Sequence, residues 1–166
     1  MIRAAVITVS TKGSRGERAD ESGPALREGL AAAGIEVVHH TIVPDHITRI
    51  TEALTAAIDA GANLVLTSGG TGLSPNDLTP EATRQVIDRE APGIAEALRA
   101  RSVEITPHGM LSRGIAGSLG NALVVNLPGS PKAARESLEV LLPVLPHAVE
   151  LLAGESGEAG HGASAG

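Results

Sequence analysis

A chain of 166 residues, 42% of them hydrophobic, has the size and apolar content of one domain with its own core. A formal net charge of −6 argues against a general nucleic-acid binder, which needs a basic stripe to neutralise phosphates, and the lack of cysteine excludes disulfides, thiolate metal sites and cysteine nucleophiles. Without Phe, Tyr or Trp the core must be packed from Leu, Ile, Val and Ala, and a flat ligand must rest on peptide planes, aliphatic side chains or Arg.

In chain order, Ala4 to Val9 is an almost unbroken apolar, β-branched run, the pattern of a strand covered on both faces in a parallel sheet. Leu26, Leu30 and Ala33 then recur at helical spacing, and Gly34 supplies a stop. The unit repeats: Ile35 to Val43 reads as a strand, and Ile47, Ile50, Leu54 and Ile58 mark a helix face ending at Gly61. Leu64 to Leu66 is a third, short strand, followed by a glycine-rich loop and a helix with Thr79 as N-cap and Pro80 at the first helical position. Pro92 to Arg101 reads as helical. Ile115 to Ser118 and Ala122 to Leu127 read as two strands joined by a turn at Gly120 and Asn121. Ser130 caps a helix carrying Ala134, Leu138, Leu141 and Leu142, which Pro143 breaks or kinks, and a last helix runs to about Leu152. Alternating strands and helices predict a three-layer αβα sandwich with a mostly parallel sheet over residues 1–152, and the Gly/Ala/Ser-rich residues 153–166 are too poor in apolar side chains to fold. No segment approaches the roughly 18 apolar residues of a membrane helix, and the N-terminus lacks signal-peptide features, so the expectation is a cytoplasmic protein that engages neither membrane nor nucleic acid.

In open α/β sheets ligands bind beyond the carboxyl ends of the strands, which directs attention to two loops. The first runs Ser68, Gly69, Gly70, Thr71, Gly72, Leu73, Ser74, Pro75, Asn76, Asp77; its three glycines let backbone N–H groups converge on an anion, and Ser68, Thr71 and Ser74 add hydroxyls. A side chain at Gly70 is expected to harm anion binding far more than folding. Asp77, just ahead of a helix, either caps it or holds a divalent cation that bridges phosphates. The second loop, Pro128, Gly129, Ser130, Pro131, offers N–H groups and a hydroxyl at a positive helix end, and reads equally well as an ordinary strand-to-helix turn. The chain contains neither the P-loop, the dinucleotide fingerprint nor the His-Glu-x-x-His zinc motif. A Gly-x-Ser-x-Gly match at Gly162, Ser164 and Gly166 lies in the terminal tail with no strand before it, and His39, His40, His46, His108 and His147 lack metal-type spacing.

Thr67 to Gly72, then Asp77, Thr79, Pro80, Glu81 and Ala82, closely resemble the central motif of the molybdopterin-binding domain shared by MogA and MoaB proteins and gephyrin. The resemblance covers about Ile2 to Leu152 and takes in Val43, Pro44 and Asp45, Pro92 and Gly93, Leu111, Ser112 and Arg113, and Leu127 to Pro131. It implies an enzyme of molybdenum-cofactor synthesis that joins molybdopterin to AMP from ATP and releases pyrophosphate, usually as a homotrimer, with a molybdenum insertase as a further partner. Asp45 and Asp77 then become the catalytic, Mg²⁺-binding pair, with Ser10, Ser68, Gly69, Gly70, Thr71, Gly72, Ser74, Ser112, Arg113, Pro128, Gly129 and Ser130 as substrate-binding residues. Arg113 and Lys12 are the basic candidates for phosphate contacts, each readable also as a surface charge. The alternative is a protein that binds molybdopterin without catalysis, as a scaffold. Two stretches depart from the family pattern: Ser118 and Leu119 follow Ala116 and Gly117 where Arg is common, and Ser10, Thr11, Lys12 stands where Ser-Asp-Arg is frequent.

Overall fold

The computed structural model describes residues 1–154. One six-stranded sheet is ordered β2 (Glu36–Val43), β1 (Arg3–Val9), β3 (Leu64–Ser68), β6 (Ala122–Leu127), β5 (Ala116–Leu119), β4 (Arg89–Glu90). The first four are mutually parallel, and β5 runs against both of its neighbours. The helices are α1 (Thr11–Ser14), α2 (Ser22–Ala32), α3 (Ile47–Asp59), α4 (Thr79–Val86), α5 (Pro92–Ile105), α6 (Pro131–Leu141) and α7 (Leu145–Ala153), with a 3₁₀ turn at Pro107–Leu111.

The period-2 geometry of the strands divides the core into two. Ala4 and Val6 of β1, Leu64 and Leu66 of β3, and Leu123, Val125 and Leu127 of β6 face α2, α6 and α7, where they meet Leu26, Leu30, Leu138, Leu141 and Leu145. The alternate residues Ala5, Ile7, Val9, Val65 and Val124 face α3 and α4, against Ile50, Leu54, Ala57 and Ala82. Two apolar faces on one parallel sheet are what the unbroken apolar runs demand, and they give the predicted three-layer sandwich.

Several boundaries differ from the sequence reading. Thr79 is the first residue of α4 and not its N-cap; Leu78 holds that position without a side-chain bond, because the Thr79 hydroxyl turns inward to the Gly69 carbonyl. The helix expected to end at Arg101 continues to Ile105, where Thr106, extended ahead of Pro107, ends it. Strand β3 extends through Ser68, so the first hydroxyl of the glycine loop is held in the sheet. Leu142 lies just past α6 as its C-cap. The short α1, β4 and the 3₁₀ turn carry no apolar periodicity and escaped sequence reading. Ala153 still belongs to α7, and Gly154 closes that helix in the left-handed conformation (φ 76°); residues 155–166, with the rest of the expected disordered tail and the Gly-x-Ser-x-Gly match, lie outside the described residues. Among the described residues no helix is long and apolar enough to cross a membrane.

Candidate active site

Chain order reverses between β1 and β3: from β1 the chain moves outward to β2, and from β3 it moves the other way to β6. At such a switch point the loops leaving adjacent strands diverge and open a crevice. A cleft of about 600 Å³ lies there, lined by the end of β1 and the residues after it (Thr8, Val9, Ser10, Gly13), the two ends of the glycine loop (Ser68, Gly69 and Gly70, and Asp77), the second loop (Gly129, Ser130, Pro131) and Asp45.

Two hydrogen bonds and one close approach hold the two loops together. Gly69 N donates to the Leu127 carbonyl at 3.1 Å, and Ser68 Oγ to the Pro128 carbonyl at 2.8 Å. A Cβ on Gly129 would stand 3.3 Å from Gly69 Cα. Gly69 and Gly70 both have positive φ, 101° and 68°, and a side chain on Gly69 would collide with the Val9 carbonyl. A side chain on Gly70 would collide with the Thr79 hydroxyl, so substitution there carries a folding cost as well. Among the described residues, the N–H groups of Gly70, Gly129 and Ser130 meet no protein acceptor, and Gly129 and Ser130 stand at the positive end of α6. The Ser130 hydroxyl accepts from Ala133 N at 3.1 Å as the N-cap, which commits one lone pair to the helix.

Each aspartate is fixed through one carboxylate oxygen. Asp45 Oδ2 accepts from Thr11 N at 3.1 Å and from Thr11 Oγ1 at 2.8 Å, and Asp45 N donates back to Thr11 Oγ1 at 3.0 Å. Thr11, in the stretch that departs from the family pattern, therefore sets the orientation of Asp45 across the ends of β1 and β2. Asp77 Oδ2 accepts from Ser74 N at 3.1 Å, while Asp77 N donates to the Ser74 carbonyl at 2.9 Å. Asp77 thus caps its own loop turn and not α4. In both residues Oδ1 has no protein donor among the described residues, and both side chains border the cleft.

The predicted site residues are not all brought together. Ser10, Asp45, Ser68, Gly69, Gly70, Asp77, Gly129 and Ser130 line the cleft. Thr71, Gly72, Ser74 and Pro128 support those residues from outside it, Thr71 and Gly72 through their carbonyls, which accept from Arg113. Ser112 instead borders a small recess beside Arg99 and Asn126. Arg113, expected at a phosphate, pairs with Glu81, and Lys12 is exposed away from the cleft wall. The ion pair lowers the Glu81 pKa below its ordinary value of 4.5, chiefly through the hydrogen bond from Arg113. Sequence reasoning missed Thr8 near the end of β1, and Arg18, Asp20 and Ser22, which form the far wall where α2 begins. Asp20 is held there by Thr8 Oγ1 at 3.0 Å and Gly23 N at 3.0 Å. An acidic residue ahead of a helix was the available signal, but only the fold brings it beside the end of β1.

The family model described as "Probable molybdopterin binding domain" matches residues 5–147. The molybdopterin biosynthesis enzyme MoaB from Thermus thermophilus superposes with a TM-score of 0.87 at 53% identity, over 93% of this chain and 98% of that one. The molybdopterin adenylyltransferase of Helicobacter pylori is 38% identical over 92% of this chain and 89% of its own length. Gephyrin of Dictyostelium discoideum is 41% identical over 89% of this chain, which spans only 22% of that longer protein. The chain is a member of the molybdopterin-binding domain family of molybdenum cofactor biosynthesis.

Proposed function

We propose that the chain is a nucleotidyltransferase that adenylylates molybdopterin with ATP. The carrying observation is that free backbone N–H groups of Gly70, Gly129 and Ser130 and the carboxylates of Asp45 and Asp77 border one cleft at the sheet's switch point. In this reading a terminal phosphate oxygen of molybdopterin attacks the α-phosphorus of ATP. The bond to the bridging oxygen breaks, and pyrophosphate leaves with the electron pair. The attacking phosphate is already ionised at neutral pH, so the protein needs no general base, and what it supplies is placement and neutralisation of crowded charge.

Backbone amides supply part of that neutralisation, as does the N-terminus of α6. Asp45 and Asp77 would hold Mg²⁺. Each keeps one oxygen without a protein donor, and two carboxylates plus substrate phosphates and water suit a cation that retains much of its hydration. A phosphate beside two bare aspartates would be repelled, so the acidic lining and the anion-seeking amides are compatible when a divalent cation stands between them. When bound, the cation supplies charge stabilisation for the transferring phosphoryl group.

A second reading, binding of molybdopterin without catalysis, is favoured by one observation. Glu81 holds the guanidinium of Arg113, which leaves Arg18 as the basic side chain among the lining residues. Pyrophosphate release from Mg-ATP and molybdopterin separates the readings. Asp77→Asn should lower turnover on the order of a hundredfold or more and leave molybdopterin affinity little changed, because lost transition-state charge stabilisation acts on rate. The double variant with Asp45→Asn should be scarcely slower than the worse single one, since the two carboxylates act as one unit. An inactive wild type that still binds the pterin would establish the second reading. We further propose a cytoplasmic homotrimer that passes its product to a molybdenum insertase; sedimentation showing only monomer at micromolar concentration would remove the trimer.

A further inference from the structure

The guanidinium of Arg113 is turned toward the back of the glycine loop. Its Nε donates to the Gly72 carbonyl at 2.7 Å, one terminal nitrogen donates to the Asp77 carbonyl at 2.8 Å, and the other pairs with Glu81 in the first turn of α4. The main-chain N–H of the same residue donates to the Thr71 carbonyl at 2.7 Å. One residue therefore grips the stretch 71–77 at both ends. The segment that carries Arg113 is itself anchored, because Arg99 on α5 donates to the Ser112 carbonyl at 3.4 Å and the Gly114 carbonyl at 2.8 Å.

Between the gripped ends, Leu73, Ser74, Pro75 and Asn76 are all exposed, and Leu73 retains 66% of its accessible surface. A stretch without buried apolar anchors opens at little cost unless polar ties hold it. Asp77 depends on this stretch, since its carboxylate is oriented by Ser74 N from within the loop and its carbonyl by Arg113 from below. A planar fork of fixed donors can reach two carbonyls and a carboxylate together; an ammonium cannot reproduce that arrangement. Glu81 neutralises the guanidinium and keeps it behind the loop, away from the acidic cleft in front.

We propose that Arg113 is a positioning residue: by fixing residues 71–77 it sets the Asp77 carboxylate, and it acts on the reaction through that carboxylate without touching a substrate phosphate. The kinetic part rests on the adenylyl-transfer reading; the hold on the loop does not. The test compares Arg113→Ala, Arg113→Lys and Glu81→Gln with wild type by three measurements: hydrogen exchange of amides 72–78 in ligand-free protein, molybdopterin affinity, and pyrophosphate release titrated with Mg²⁺. Arg113→Ala should speed exchange at Ser74 and Asp77 by about tenfold or more while the β1 and β3 amides keep their protection. Turnover should fall about ten- to hundredfold with Mg²⁺ half-saturation raised, as expected for a displaced ligand, while molybdopterin affinity moves less than about threefold. Arg113→Lys should lie between, and Glu81→Gln, which keeps a hydrogen-bond acceptor and the shape, should show the same pattern more weakly. If Arg113→Ala does not fold, the exchange pattern of Glu81→Gln decides alone. Unchanged loop exchange with molybdopterin affinity lost tenfold would overturn the proposal in favour of a substrate contact. Exchange accelerated evenly through the sheet would overturn it in favour of a purely structural pair. An inactive wild type would remove the adenylyl-transfer reading alone, and the exchange pattern would still decide whether Arg113 holds the loop.

Discussion

At the scale of single residues, the glycine loop shows how little freedom a backbone-built site has. Gly69 has φ 101° and faces the Val9 carbonyl, which belongs to the sheet and has no other rotamer to adopt. Gly69→Ala is therefore expected to cost on the order of 1–3 kcal/mol from backbone strain alone, more once the contact is added, as read by urea denaturation. The ion pair of Arg113 and Glu81 makes a prediction about pH. Because the folded-state pKa of Glu81 is depressed, its contribution is present above the ordinary carboxylate value of 4.5 and is lost as pH falls through the lower, folded value. Wild type should thus lose stability relative to Glu81→Gln below about pH 4.5, the two curves running parallel at neutral pH. The Glu81 side chain is 41% exposed, so the difference should be small and should shrink with added salt. Parallel curves through the acid range would show that the pair contributes nothing to folding.

At the scale of elements, one buried side chain joins four parts of the fold beneath the cleft. Asn126, 4% exposed on β6, donates through Nδ2 to Thr67 Oγ1 of β3 at 3.0 Å and to Thr83 Oγ1 of α4 at 3.0 Å. Its Oδ1 accepts from Ile115 N at 3.1 Å, just ahead of β5. Thr83 continues the chain to the Thr79 carbonyl, and Thr79 to the Gly69 carbonyl, so the loop conformation is set from the centre of the sheet. Asn126→Leu keeps the volume and strands these groups; the orphaned Ile115 N–H alone should cost roughly 1–3 kcal/mol. Thermal unfolding measures that loss. A neutral result would mean that water replaces the amide. Periodicity marked β6 as an apolar strand and gave no sign that its one polar residue was a junction, because such a junction exists only once β3 and α4 have been brought alongside.

At the scale of the whole molecule, two aliphatic cores share one sheet. Leu66 and Val65 are neighbours in sequence, yet they are fully buried in opposite cores. Strands common to both layers couple them, so the described domain should unfold in one cooperative step. Leu66→Ala should lower stability by about 2–5 kcal/mol and keep a single transition, since the cavity it leaves weakens one core while the sheet still carries both. The chain has no Phe, Tyr or Trp, so circular dichroism in the peptide region is the natural probe, and pterin fluorescence can be titrated without protein background. A biphasic curve for Leu66→Ala would show that the layers fold independently.

Hydrophobic periodicity and the punctuation of Gly and Pro determined the strands β1, β2, β3 and β6, the main helices and the layered fold, because burial acts on every residue of an element and leaves a repeating trace. The motif at Thr67 to Asp77 determined the family and the edge of the sheet where the cleft opens. Three features were decided only by the tertiary structure: the far wall at Arg18, Asp20 and Ser22, the grip of Thr11 on Asp45, and the turning of Arg113 away from the cleft. Each depends on hydrogen bonds or an ion pair between residues separated in the chain, 34 positions apart for Thr11 and Asp45 and 32 for Arg113 and Glu81. A sequence shows which side chains carry a charge; where that charge is spent depends on which carbonyls and carboxylates the fold sets opposite it.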